Sequence, residues 1–382
     1  MSAVPEHPAG AGRYIVELAR ALSRRDDLSL SLVTKAADGD RLSRLAPTAR
    51  VLPLVPSGRP VRLLYEQLLL GRRVNALGRP AIDAYHGPHY TVPAGLRTAR
   101  VATVHDLTFL DHPEWHERSK ALFFRAAIRR AARICDVLVC VSRTTAERLG
   151  ELMQPSAELI VAEHGVDRER FSPGPVAEEA LPAGIDLSSA IVYVGTIEPR
   201  KGVSDLVRAF DRLAAGRPTL SLVLAGRPGW RVGEVEAALS GASHSERVHR
   251  LGFVPDVSVV ALLRAARVVC YPSHEEGFGL PALEALATGA PLVTIEGTAM
   301  AELAGPAAWL APPGDPGALA ARLAAALDSP PEERSKRREE GMARASRYSW
   351  ERTAGLHVEA YVKAIDRAAK RSKPPRRGRP PA

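Results

Sequence analysis

Cysteine is scarce and scattered in this chain. The three residues, Cys135, Cys140 and Cys270, form no CxxC pair and no paired framework. That argues against a structural zinc site and a disulfide-stapled fold, and it points to a reducing compartment. No apolar run approaches the roughly 20 residues that a membrane-spanning helix needs. Met1 to Gly10 lacks the apolar core of a secretory leader. Basic residues are not interleaved with aromatics and no recognised nucleic-acid motif is present, so nucleic acid is not an expected partner. A cytoplasmic protein is the expectation. Also missing is a strand signal at the start: Met1 to Pro8 carries two prolines and no apolar run.

What remains is a chain of 382 residues, 46% hydrophobic and 25% charged, the composition of a globular protein too long for one core. Its net charge is +9, of which the Pro-rich tail from Lys370 to Ala382 carries +6 and no acid, leaving +3 for the rest. Such a tail reads as a solvated, unfolded end. Its functional alternative is attachment to an anionic membrane surface, as a peripheral protein on the inner face of the cell membrane.

Short apolar strands alternate with amphipathic helices. Ile15, Leu18, Ala19 and Leu22 mark a helix over Arg13 to Arg24. Strands are expected at Leu28–Val33, Val101–Val104, Val137–Val141 and Leu159–Ala162. A proline- and glycine-rich stretch, Phe171 to Ser189, reads as a linker. A second series follows, with strands at Ile191–Val194, Leu220–Ala225, Val268–Tyr271 and Leu292–Ile295 and helices between them. Two consecutive α/β, doubly wound domains are expected, with ligands outside the carboxyl ends of the strands and a cleft between the domains.

The segment His274 to Ala285 is strand end, glycine turn and helix start, with Glu276 on the turn and Glu284 placed in the first helical turn behind Pro281. A helix start aims N–H groups at an anion, and a carboxylate there can hold a ribose diol. The structural alternative is a glutamate paired with a helix dipole. Gly195 to Gly202 contains Arg200 and Lys201, adjacent cations suited to a departing diphosphate, or simply two exposed loop residues. His105 follows a strand, where a histidine serves as base, donor or structural partner. Gly10 and Gly12 precede the first helix and permit close backbone approach. Arg227, in Gly226–Gly229, and Val254, in Gly252–Pro255, are candidate walls for a base.

Together these motifs resemble the group 1, family-4 retaining glycosyltransferases of the GT-B fold. The resemblance runs in family order through Gly-Ala-Gly-Arg-Tyr from Gly10, Val-His-Asp-Leu from Val104, His-Gly-Val-Asp from His164, Gly-Thr-Ile-Glu-Pro-Arg-Lys-Gly from Gly195, Glu-Gly-Phe-Gly-Leu-Pro-Ala-Leu-Glu from Glu276 and Tyr-Ser-Trp-Glu-Arg-Thr-Ala from Tyr348. The Glu-Pro-Arg-Lys and Val-His-Asp-Leu variants look most like bacterial mannosyltransferases. The resemblance implies an acceptor-side domain over 1–172, a nucleotide-sugar domain over 173–350, a closing helix over 351–369 that returns to the first domain, and the tail over 370–382.

It also implies roles. Glu284 holds the ribose. Glu276 and the Phe278, Gly279 and Leu280 backbone contact sugar and phosphate. Gly195, Arg227 and Val254 line the nucleotide. Arg200 and Lys201 neutralise the diphosphate, so that neither metal nor cofactor is required. His105 bonds the donor sugar, and Gly10 and Gly12 let their loop approach the diphosphate. The expected substrates are a nucleotide sugar, GDP-mannose or a UDP-hexose, and a saccharide or lipid-linked acceptor.

Family members begin with a buried strand ahead of the glycine loop, so the first strand of the first domain is expected to be missing. A protein that binds nucleotide sugar without turnover is the alternative reading. Glu163 and Ala301 also depart from the family pattern, which has proline at the corresponding positions.

Overall fold

Four strands of this chain, Val137–Cys140, Ser221–Ala225, Val268–Tyr271 and Leu292–Ile295, are buried at every position, as strands of a parallel sheet covered on both faces must be. The computed structural model describes residues 10–77 and 82–372. The expectation of a missing first strand falls on residues 1–8, outside the described residues, as does the tail from 373 onward.

The chain divides into two units, residues 1–164 with 350–382 and residues 165–349. The first unit holds two parallel sheets. One pairs β1 (Ser31–Lys35) with β2 (Arg50–Val55). The other has the order β3 (Ala84–Gly87), β4 (Ala99–Val104), β5 (Val137–Cys140), β6 (Glu158–Val161). Among the described residues no strand joins β1 to β3. Pro53 is tolerated in β2 because, among the described residues, that strand is an edge, where a missing N–H breaks no ladder.

The second unit is one six-stranded parallel sheet. Its strands are β7 (Ala190–Val194), β8 (Ser221–Ala225), β9 (Val248–Gly252), β10 (Val268–Tyr271), β11 (Leu292–Ile295) and β12 (Ala308–Ala311). Their order is β12-β11-β10-β7-β8-β9. This is the doubly wound order in which β7 and β10 flank the point where the winding reverses, and ligands gather outside the carboxyl ends of those two strands. The Phe171–Ser189 stretch is not a free linker. Phe171 and Leu187 are buried in the second unit, and Arg264 Nε donates to the Ser172 carbonyl at 2.8 Å.

Helix α1 (Ala11–Ser23) starts directly after Gly10. Helix α2 (Val203–Ala214) buries Val203, Leu206, Val207, Phe210 and Leu213, one stripe of a 3.6-residue period. Helix α3 (Leu280–Thr288) follows β10. Helix α4 (Trp350–Ser372) belongs to the first unit, where Ala360 and Ala364 pack on Val101, Val137 and Val139. Their small side chains let the helix lie close to the sheet. Lys370 to Ser372 are the end of this helix rather than the start of an unfolded tail. No helix among the described residues is long and apolar enough to cross a membrane.

A buried polar chain fixes α1 and α4 to the sheet. His357 Nδ1 lies 2.7 Å from the Thr353 carbonyl and must donate to it. Burial holds His357 neutral, with its pKa lowered to about 4, so its Nε2 accepts from Tyr14 Oη at 2.7 Å. Tyr14 then accepts from Thr103 Oγ1 at 2.8 Å. Thr103 in turn accepts from His86 Nε2 at 2.8 Å, and His86 Nδ1 accepts from Tyr361 Oη at 2.9 Å. Each proton position follows from the one before it.

Tyr14→Phe removes the link between Thr103 and His357 and leaves a buried acceptor without a donor. The expected cost is about 1–3 kcal/mol in denaturant unfolding, and a loss below the error of that measurement contradicts the chain. His86 and His357 both have depressed pKa values in the folded protein. Their contribution is complete above about pH 6.5 and declines as pH falls toward about 4. Hydrogen exchange of α1 and α4 is expected to accelerate relative to the second unit between pH 7 and pH 5, and equal protection at both pH values refutes this.

Candidate functional site

At the winding reversal of the second unit, the loop after β7 meets the loop after β10. Arg200 Nη1 donates to Glu276 Oε2 at 3.0 Å, Arg200 Nε reaches Glu198 Oε1 at 2.6 Å, and Lys201 pairs with Glu276 Oε1. Ser273 Oγ donates to the same Glu276 oxygen at 3.1 Å. The backbone binds the two loops as well, His274 N–H to the Arg200 carbonyl at 2.9 Å. The cluster holds two carboxylates and two cations, all largely buried. Burial pushes the Glu276 carboxyl up, but Lys201 and Arg200 override it and hold the group at about 2.

Two glycines let the loop after β7 lie against its two neighbours, the loops after β10 and β8. Gly202 has φ +64°, and a Cβ there would lie 2.1 Å from the Pro272 carbonyl oxygen. Gly226, after β8, sits so close to the loop after β7 that a Cβ would lie 1.8 Å from the Gly195 carbonyl oxygen. The loops after β7 and β8 continue the ladder through Gly195 N–H to Ala225 O at 2.9 Å and Ile197 N–H to Arg227 O at 3.0 Å.

Gly279, with φ +102°, caps α3, and Leu280 and Pro281 are its first two residues. Phe278 is buried edge-on against Tyr348 at 5.9 Å. Glu284 is buried in α3, but in its second turn rather than the first, because the helix begins at Leu280. It lies near Tyr271, whose hydroxyl is held protonated by burial and then by the Glu284 charge. Tyr193 packs against Tyr271 at 5.9 Å and feels the Glu276 charge. The two glutamates of the motif thus flank one buried tyrosine pair. Arg227 lies over the exposed Phe253 ring at 4.5 Å, beside Val254.

The remaining candidates belong to the first unit. Gly10, with φ +51°, is the cap of α1, and Gly12 is within its first turn. His105 follows β4, is buried, and stands edge-on to Tyr14 at 4.9 Å. Its Nε2 donates to the Pro88 carbonyl at 2.8 Å. Burial lowers its pKa, so the ring is neutral and Nδ1 is left as a hydrogen-bond acceptor.

The sequence reading did not single out Glu198, Ser273, Tyr193, Tyr271 or Phe253. Glu198 and Phe253 lie inside motifs that it quoted, so position was available as a signal. Tyr193 and Tyr271 lie in expected strands, so their burial was available too, but their pairing across the sheet and the contact of Ser273 with Glu276 were not.

The family described as "Glycosyl transferases group 1" matches residues 186–344, and "Glycosyltransferase Family 4" matches residues 8–170. The chain is 30% identical over 369 residues to the O-antigen chain mannosyltransferase B of Escherichia coli, covering 92% of this chain and 95% of that protein. It is 36% identical over 248 residues to the MMP alpha-(1->4)-mannosyltransferase of Mycolicibacterium hassiacum, covering 63% of this chain and 57% of the relative. The Anabaena protein HepE, solved in complex with UDP and glucose, superposes with a TM-score of 0.70 at 19% identity, over 93% of this chain and 96% of that one. That likeness establishes the GT-B fold. With both halves matched by family models and a full-length relative at this identity, the chain belongs to the group 1 glycosyltransferases and resembles the bacterial mannosyltransferases among them.

Proposed function

We propose that the chain transfers mannose from GDP-mannose, with retention, to a saccharide or lipid-linked acceptor. The observation that carries this reading is the meeting of Arg200, Lys201 and Glu276 at the winding reversal of the second unit. Two adjacent cations there suit a diphosphate whose charge grows as it leaves. The full-length mannosyltransferase relative supports the sugar.

In this reading the diphosphate takes the cations from Glu276, and the freed carboxylate turns to the donor sugar. The Phe278, Gly279 and Leu280 backbone and the α3 N-terminus hold phosphate oxygens. Glu284 accepts from the ribose hydroxyls. The planar pair of Arg227 and Phe253, with Val254, offers a face for the base, and Gly195 keeps the loop close to it. His105 accepts a sugar hydroxyl at Nδ1. The Gly10 and Gly12 backbone approaches the diphosphate without side-chain hindrance. The acceptor oxygen forms its bond to the anomeric carbon on the face from which the diphosphate departs. The acceptor proton passes to the leaving phosphate oxygen. The reading uses no protein nucleophile, and Arg200 and Lys201 supply the charge compensation otherwise assigned to a metal. A UDP-hexose donor is the second reading, favoured by the UDP and glucose bound to the structurally similar Anabaena protein.

Calorimetric titration with GDP and UDP, followed by a donor-hydrolysis assay, separates these readings. Tighter GDP binding with release of mannose from GDP-mannose is expected. Nucleotide binding without hydrolysis or transfer contradicts turnover.

Glu284→Ala is expected to weaken nucleotide binding by roughly 10- to 100-fold, the range for hydrogen bonds to a charged group. Unchanged affinity removes Glu284 from the ribose. His105→Ala is expected to lower kcat about tenfold or more while donor affinity stays within about twofold, and weaker donor affinity at unchanged kcat assigns His105 to ground-state binding instead.

A further inference from the structure

The first unit carries a second polar site, at the opposite ends of its strands from His105. A cavity of about 400 Å³ opens beneath the starts of β4, β5 and β6. Five cations line it, Arg100, Arg133, Arg367, Lys370 and Arg371, against one carboxylate, Asp136. Arg100 is the second residue of β4 and Asp136 directly precedes β5, while Arg367, Lys370 and Arg371 come from the last turns of α4.

The single carboxylate is already committed. Asp136 Oδ2 accepts the Arg100 backbone N–H at 2.9 Å, and Oδ1 is paired with Arg371. Arg100 Nε is buried with no hydrogen-bond acceptor, 3.7 Å from Asp136. Arg367 donates to the Ser156 carbonyl at 2.8 Å and lies 3.8 Å from Glu158, which Lys363 also holds at 2.8 Å. Among the described residues, Arg133 and Lys370 have no ion-pair partner. Burial and the nearby Arg371 charge both disfavour the charged form of Arg100, and Asp136 offsets this only in part.

We propose that this cavity is a binding site for a phosphate-bearing anion, distinct from the donor site of the second unit. A phosphate brings several acceptor oxygens to guanidinium groups that match them in geometry. It would satisfy Arg100 Nε and relieve the repulsion between Arg100 and Arg371. Neither the strand ends nor the residues are those of the proposed donor site, so the two readings stand or fall separately. The phosphate comes from a lipid headgroup or from a free anion.

The test uses the full chain and two probes, inorganic phosphate in a calorimeter and sedimentation with vesicles of phosphatidylglycerol or of phosphatidylcholine alone. Arg133 and Lys370 are exposed, so Arg133→Gln/Lys370→Gln leaves the core intact. Loss of two such charges is expected to weaken binding roughly 30-fold, and the effect shrinks as salt rises. Lys201→Ala is expected to leave this binding unchanged. Sedimentation with phosphatidylglycerol that fails in the double variant assigns a headgroup, and phosphate binding without sedimentation assigns a free anion. The proposal is overturned if neither probe binds, if the double variant binds as the parent does, or if removal of residues 373–382 alone abolishes binding.

Discussion

Everything at the proposed donor site depends on how four charges are kept in little water. Glu198, Arg200, Lys201 and Glu276 form a neutral cluster where the winding of the second sheet reverses. Burying such a cluster contributes little to stability, because desolvation offsets most of the attraction. In the proposed reaction its value lies in exchange. The cations are held in place by a carboxylate that the donor's diphosphate would displace, so they are positioned without being exposed to solvent. Gly202 and Gly226 serve the same end, since each lets one loop touch the backbone of another where a side chain would hold them apart.

Much of this was legible in the sequence, for identifiable reasons. Val268–Tyr271 is an uninterrupted apolar run, and the glycines and proline after it fix the turn and the start of the next helix. Glu276, Arg200 and Lys201 could be placed because each sits a short, glycine-bounded step beyond a strand. The sequence sets the start of this helix at Pro281 and the structure at Leu280, so Glu284 is its fifth residue rather than its fourth. Strands such as Ala84–Gly87 and Val248–Gly252 escaped notice because histidine and arginine interrupt their apolar pattern. The chain from Tyr361 to Thr353 was invisible. Its six members come from four elements, three of them from α4, and only folding makes them neighbours.

The first sheet has a different chemistry at each end. Beyond the carboxyl end of β4 the environment is aromatic, with His105 neutral beside Tyr14 and Asp106 next to it. At the starts of β4, β5 and β6 the surface is cationic, and the end of α4 supplies three of its five positive side chains. The parallel direction of the strands keeps these two environments apart, since the length of the sheet lies between them.

The return of α4 to the first unit also sets an order of events during synthesis. Residues 165–349 form their own unit from a continuous piece of chain, which can close as soon as it has left the ribosome. The first unit cannot. Val101, Val137 and Val139 remain uncovered, and Tyr14 lacks its acceptor, until residues 350–372 have emerged. The half that is translated first is therefore the half that matures second.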